Sequence, residues 1–268
     1  MDLSGTPGGA SQQAPAGTGV VRVEEPHPGV ALVTMEDREH KNTFTEELLT
    51  GLGDAFQRVQ ADERFKVLVL TGYGNYFSSG GTREALLDIQ AGKSTFMSAE
   101  GKPNVYSMPL DCPIPVISAM QGHAIGGGLA MGLFADFVLL AREGVYAANF
   151  MKYGFTPGFG ATCVFPAKLG LPLAQDFLLT ARSFRGAELA ARGIPFEVRP
   201  RAEVVPAALD LAQNLAEKPR TSLVTLKEHL VRDLRRELPG VIEKELAMHQ
   251  VTFHQPEVKE LLMSRYGA

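Results

Sequence analysis

The sequence predicts an α/β fold that gives way to a helical C-terminal region. Three observations carry this. Short apolar runs at residues 30–35, 67–71, 115–120 and 137–141 are bounded by turn residues. Segments of helical periodicity separate them, the alternation expected of a parallel sheet covered on both faces. Beyond Pro157 helical patterns dominate, roughly over 158–180, 202–217, 221–236 and 240–253, with a last one after Pro256.

The elements follow in order. Residues 30–35, Val-Ala-Leu-Val-Thr-Met, read as a strand. Thr43 and Glu46 have the S/T-x-x-E spacing of a capping box, so Thr43 is the predicted cap of the next helix. Leu48, Leu49, Leu52, Ala55, Phe56 and Val59 then recur at helical spacing. Residues 67–71 are a fully apolar strand ended by Gly72, and 83–91 a short helix. A strand at 115–120, a helix from Gly126 to 134 and a strand at 137–141 complete the alternation. Residues 194–198 read as one further strand. The first 19 residues are mostly Gly, Ala, Ser, Pro and Gln with hardly a side chain to pack, and predict a disordered tail. The expected division is a tail over 1–19, a core over 20–200 and a helical region over 201–268.

Composition narrows the function classes. The chain has 268 residues, 45% hydrophobic and 21% charged, a globular balance long enough to bury a core without disulfides. Cys112 and Cys163 form no framework and no metal cluster, and read as reduced thiols of a cytoplasmic protein. A net charge of −4 argues against nucleic acid or anionic lipid as partner. No apolar run is long enough to span a bilayer. The charge is uneven: between Arg182 and Arg236 eleven Lys/Arg face seven Asp/Glu. That excess reads as a solvated face, or as a docking patch for an acidic partner.

Two glycine segments could carry chemistry. Gln121-Gly-His-Ala-Ile-Gly-Gly-Gly128 lies between a strand and a helix, where backbone amides lack intrahelical partners and the helix dipole is positive. It fits neither a P-loop nor a dinucleotide fingerprint. A developing oxyanion is the remaining ligand, and a tight helix–strand packing corner is the structural alternative. Asn75-Tyr-Phe-Ser-Ser-Gly-Gly-Thr82 is a second glycine-bearing strand end. Two such ends on one parallel sheet edge can each offer an N–H to a single oxygen. Among other residues, His123 beside the glycines reads as a hydrogen-bonded structural histidine, and His229 and His254 as surface groups. Tyr73, Tyr76 and Phe77 read as strand-end packing.

Phe77-Ser-Ser-Gly-Gly and Gly122-His-Ala-Ile-Gly-Gly-Gly together resemble the crotonase (enoyl-CoA hydratase/isomerase) superfamily, from about Val20 to the end. The resemblance implies a spiral of ββα units with a helical C-terminal part, assembled as a homotrimer, and chemistry through a thioester enolate. It places the oxyanion donors at the N–H groups of Gly81 and Gly127. Where the family's hydratases carry their two glutamates, this sequence has Ala130 and, near the second, Phe150. Water activation needs such acid/base groups, so the resemblance implies an oxyanion hole without hydratase chemistry.

A narrower resemblance is carried by 120–128, by Asn149-Phe-Met-Lys-Tyr-Gly-Phe-Thr-Pro-Gly and by Leu246-Ala-Met-His-Gln-Val-Thr-Phe. These segments resemble the decarboxylating crotonases of polyketide β-branching. The implied reaction takes 3-methylglutaconyl on an acyl carrier protein to 3-methylcrotonyl. The resemblance assigns an acid/base role to His249 and calls for a lysine near the carboxylate. Positions where one branch of the family has tyrosine and lysine are Ala85 and Ile89 here. Lys93 is favoured over Lys102, with Lys152 as the other source of a cation. No metal or organic cofactor is expected, because the thioester is itself the electron sink. The rival expectations are an enoyl-thioester isomerase or hydratase, and a non-catalytic carrier-binding subunit.

Overall fold

The computed structural model describes residues 19–95 and 104–266. All of the predicted tail but Gly19, and Lys102, lie outside the described residues.

Two sheets and a helical shell make the architecture. The larger sheet has the order β1-β2-β3-β5-β7-β10, from β1 (Val21–His27), β2 (Val30–Met35), β3 (Val67–Thr71), β5 (Val116–Met120), β7 (Phe137–Ala141) and β10 (Glu197–Arg199). Only β1 and β2 pair antiparallel; the rest of this sheet is parallel. The smaller sheet has the order β4-β6-β8-β9, from β4 (Tyr76–Ser78), β6 (His123–Ile125), β8 (Val145–Ala147) and β9 (Ser183–Arg185). Strands β3 and β5 are buried along their whole length, which is why they read as unbroken apolar runs.

The helices are α1 (Glu46–Ala61), α2 (Arg83–Gln90), α3 (Met108–Asp111), α4 (Gly127–Leu133), α5 (Ala161–Leu169), α6 (Leu171–Thr180), α7 (Gly186–Ala191), α8 (Arg201–Ala216), α9 (Arg220–Thr252) and α10 (Pro256–Arg265). The main core joins the inner faces of the two sheets to α1, α4, α5 and one stripe of α9. A second core lies on the other face of the large sheet, where Val204, Ala208 and Ala212 of α8 pack on Val69, Ile117 and Leu139.

Four local expectations are corrected. The cap of α1 is Thr45, whose hydroxyl accepts the Leu48 amide at 3.2 Å; Thr43 instead forms a parallel bridge with Gly80. The stretch 158–180 is two helices, because Gly170 (φ +75°) ends α5 and starts α6. The stretches 221–236 and 240–253 are one helix, α9, running through Pro239. Proline removes one N–H there. Yet Leu238, Ile242, Glu245 and His249 share one buried stripe, so tertiary packing holds the helix together across it. The strand expected at 194–198 lies at 197–199.

Each ββα unit turns the chain from the large sheet into the small one. After β3 the chain runs into β4 and then α2; after β5 it runs into β6 and then α4. Because β4 and β6 are parallel neighbours, with Tyr76 beside His123 and Ser78 beside Ala124, the two glycine segments emerge side by side.

Candidate active site

The glycine loops are held by buried polar side chains. The Gln121 carboxamide accepts from the Thr71 hydroxyl (3.0 Å) and the Gly72 amide (3.2 Å) and donates to the Tyr76 carbonyl (3.0 Å), stapling the two sheet-to-sheet connections. Asn42, fully buried with φ +53°, donates to the carbonyls of Met35 and Phe77. The Gly80 carbonyl accepts from the Phe44 amide at 2.7 Å, and the Gly80 amide donates to the Ser78 hydroxyl at 3.3 Å.

Glycine is required at two of these positions for different reasons. Gly80 has φ +78°, and a Cβ there would stand 2.6 Å from the Ile125 carbonyl oxygen. Gly126, at φ +55°, would put a Cβ 2.7 Å from Asn149 Oδ1. The approach is so close that the Gly127 nitrogen lies 3.4 Å from where the Gly80 Cβ would be. The amides of Gly81 and Gly127 have no acceptor among the described residues. Both glycines line one cavity of about 620 Å³. Gly127 is the first residue of α4, where an N–H is left unpaired by helix geometry.

The cavity has an apolar interior and a charged rim. Leu86, Phe150, Phe155 and Phe159 line its inner part. Glu39, Lys41, Arg83 and Glu84 belong to the exposed surface around it. Ala130 is buried in α4 and Phe150 presents a ring, so the two positions read from the sequence as lacking carboxylates supply none. His123 has a structural partner, its Nδ1 accepting the Val145 amide at 3.0 Å. His229 and His254 are exposed. Among the described residues no group of His, Cys, Asp or Glu could hold a metal ion.

The structure separates the remaining candidates. His249 sits on the buried stripe of α9, with Nε2 3.0 Å from the Thr156 carbonyl oxygen and 3.1 Å from that of Pro157. Carbonyls only accept, so Nε2 carries the proton and Nδ1 is the nitrogen that takes up a further one. Burial lowers the His249 pKa, with the two carbonyls acting in the opposite direction. His249 lines a small void of about 10 Å³ rather than the large cavity. Phe159 lines both. Lys93 stands at the exposed end of α2, its ammonium 3.2 Å from Asp88, and is not part of the cavity lining. Lys152 is, with its Nζ 5.8 Å from the centre of the Tyr153 ring.

Three residues around the site carry no motif. Glu245, buried one turn before His249, accepts from the amides of Gly160 (2.8 Å) and Thr162 (2.9 Å) and from the Thr162 hydroxyl (2.6 Å). Burial raises its carboxyl pKa while these bonds oppose the rise. It thereby caps the start of α5 and fixes the turn bearing Phe159. Phe159 has φ +61°, a conformation costing a bulky residue about 1–3 kcal/mol, so the surrounding contacts must over-determine it. Tyr266 donates to the Gly81 carbonyl. No sequence signal marks Glu245, whose partners lie 85 and 83 residues earlier in the chain.

A two-sheet ββα core whose two glycine loops line one cavity defines a crotonase-type fold. The comparisons with known proteins agree: the enoyl-CoA hydratase/isomerase family matches residues 25–266, and the chain belongs to that family. It is 58% identical to the bacillaene synthase decarboxylase PksI of Bacillus subtilis (strain 168), over 92% of this chain and 98% of that protein. A solved structure from a dehydratase/decarboxylase enzyme couple involved in polyketide beta-branching superposes with TM-score 0.90 at 57% identity, covering 93% of this chain and all of the other. The ECH2 decarboxylase domain of CurF from Lyngbya majuscula superposes with TM-score 0.87 at 45% identity, over 91% and 98% of the two chains.

Proposed function

We propose that this chain is the decarboxylase of a polyketide β-branching system, converting 3-methylglutaconyl to 3-methylcrotonyl on an acyl carrier protein. The observation that carries it is the similarity, over more than nine-tenths of the chain, to the bacillaene synthase decarboxylase at 58% identity, to a structure from a dehydratase/decarboxylase couple of polyketide beta-branching at 57%, and to the CurF decarboxylase domain at 45%. The site's chemistry agrees: a paired-amide cavity whose hydratase carboxylate positions hold Ala130 and Phe150.

The Gly81 and Gly127 amides bind the thioester oxygen. Breaking the bond to the γ-carboxylate sends its electron pair into the conjugated system and leaves a dienolate. The negative charge settles on the thioester oxygen, where two fixed N–H donors lower the barrier; one such donor is worth about 3 kcal/mol. Carbon dioxide departs, and a proton returns to carbon; His249 in its imidazolium form supplies it where the acyl chain passes the edge of the Phe159 ring toward the void that His249 lines. A cation meets the carboxylate as it enters the apolar cavity, where an unpaired charge costs several kcal/mol. Lys93 serves if its side chain exchanges Asp88 for the substrate, and Lys152 is the rival already in the lining. Comparing Lys93→Ala, Lys102→Ala and Lys152→Ala at one substrate concentration assigns the role.

The acidic carrier docks on the exposed basic residues between Arg182 and Arg236, a set that leaves out the buried Lys227, and the chain works as a homotrimer in the cytoplasm. Among the described residues no helix is long and apolar enough to cross a membrane. The functional test is chromatography of the acyl chain cleaved from the carrier after incubation with enzyme. Appearance of 3-methylcrotonyl supports the reading. Recovery of an isomeric 3-methylglutaconyl supports an isomerase instead.

A further inference from the structure

We infer that Phe159 is the specificity-determining wall of the acyl cavity: its ring limits the size of the branch at the third carbon of the acyl chain. This rests on the reading above only in taking an acyl thioester as the ligand.

The position of the ring is the first argument. Phe159 lies against the glycine loop, its ring atoms 3.1 Å from where a Cβ on Gly127 would be. A thioester oxygen bound at the Gly127 amide therefore directs the first carbons of its acyl chain past this ring. On one side is the large cavity; on the other is the void of about 10 Å³ bounded by Tyr106, Ile242, Glu245, Leu246 and His249. Among the described residues Phe159 is the one side chain lining both spaces.

The ring is also fixed rather than adaptable. Tyr106 and Phe44 meet it edge-on, with centroids 5.0 and 5.9 Å away. Its backbone is held left-handed at φ +61°, followed by Gly160 at φ +69°. Glu245 clamps the amides of Gly160 and Thr162 just beyond it. A wall built on over-determined backbone cannot yield to a larger substituent without breaking those bonds. The void behind it is bounded by Tyr106, Ile242 and Leu246, with Glu245 and His249 also lining it; the Glu245 oxygens are engaged by Gly160 and Thr162, so space gained by shortening Phe159 takes alkyl groups against the three apolar side chains. One methylene in a shaped apolar pocket is worth about 10–200-fold in discrimination.

The test uses saturated pantetheine thioesters bearing methyl, ethyl or propyl at the third carbon. They keep the thioester oxygen but cannot lose carbon dioxide. Dissociation constants are measured by calorimetry for the wild type, Phe159→Leu and Phe159→Ala. The expected result is a wild-type preference for methyl over propyl. Phe159→Ala should shift that ratio at least about tenfold toward propyl, with Phe159→Leu intermediate. Phe159→Leu keeps a shorter apolar side chain that still fills part of the space, so it carries the test if Phe159→Ala does not fold. An unchanged ratio in the folded variants, or no wild-type discrimination among the three, overturns the proposal. Wild type that binds and discriminates but does not decarboxylate 3-methylglutaconyl refutes the assigned reaction and leaves the wall standing.

Discussion

The phenol of Tyr266 donates a 2.7 Å hydrogen bond to the carbonyl oxygen of Gly81, tying the end of the α10 segment to a glycine loop 185 positions earlier. Burial pushes the Tyr266 pKa up to about 12, so the hydroxyl keeps its proton at neutral pH. Tyr153 stacks on its ring at 6.0 Å. The bond fixes the peptide following Gly81 and, through it, the aim of the Gly81 amide. Tyr266→Phe removes one bond worth about 1 kcal/mol while leaving the ring in place. The expected outcome is a fall in kcat of about fivefold with little change in KM, measured on carrier-bound substrate.

His249→Ala should keep the fold and lower the single-turnover rate about 10²–10⁴-fold, the range for a positioned acid/base group. The pH dependence has a definite sign. Proton return needs the imidazolium, and burial lowers the His249 pKa. The rate should therefore decline with rising pH, through a midpoint below the ordinary histidine value of about 6.5. The same shift bears on stability. Below about 6.5 the unfolded chain takes up a proton that the folded chain resists. Stability falls as pH drops through that value and continues to fall until the folded-state pKa is passed. Denaturant titrations between neutral and mildly acidic pH check this, with His249→Phe expected to lose part of the dependence.

Hydration of a crotonyl thioester should be absent. Ala130 and Phe150 offer a methyl and a ring where water would need a carboxylate. Loss of the conjugated-thioester absorbance at a rate comparable to family hydratases contradicts this.

Lys227 is a structural, not a catalytic, lysine. It is 4% exposed, its ammonium 2.7 Å from Asp136 and within 2.9 and 3.1 Å of the Pro109 and Ile114 carbonyl oxygens. Asp136 also accepts the Val116 amide at 2.7 Å, so the pair anchors α9 to the start of β5. Lys227→Ala leaves the carboxylate behind and should cost about 3–5 kcal/mol, read from urea unfolding. Lys227→Met together with Asp136→Leu should recover much of that loss.

Much of the fold was legible in the sequence where burial is two-sided. Strands β2, β3 and β7 coincide with apolar runs, because a parallel strand covered on both faces has no polar alternation. The three-residue strands β4, β6, β8 and β9 are too short to show any period. Thr43 and Thr45 compete for the α1 cap, and Thr43 is committed to its bridge with Gly80. At Pro239-Gly240 a strong local stop signal is overridden by the buried stripe of Leu238, Ile242 and Glu245. The glycine loops announced themselves by composition. Glu245 and Tyr266 did not, because their partners lie 85 and 185 residues away and no local pattern encodes such contacts. The preference for Lys93 depended on a side-chain direction that sequence does not encode, and its ammonium is beside Asp88.

The measurement closest to the central claim follows carbon dioxide and the carrier together. Purified carrier loaded with 3-methylglutaconyl is incubated with substoichiometric enzyme, and released carbon dioxide is quantified against the intact mass of the carrier. The predicted result is one carbon dioxide per carrier, a matching loss of mass, and no gain of water. A carrier of unchanged mass, or one heavier by a water, would contradict it.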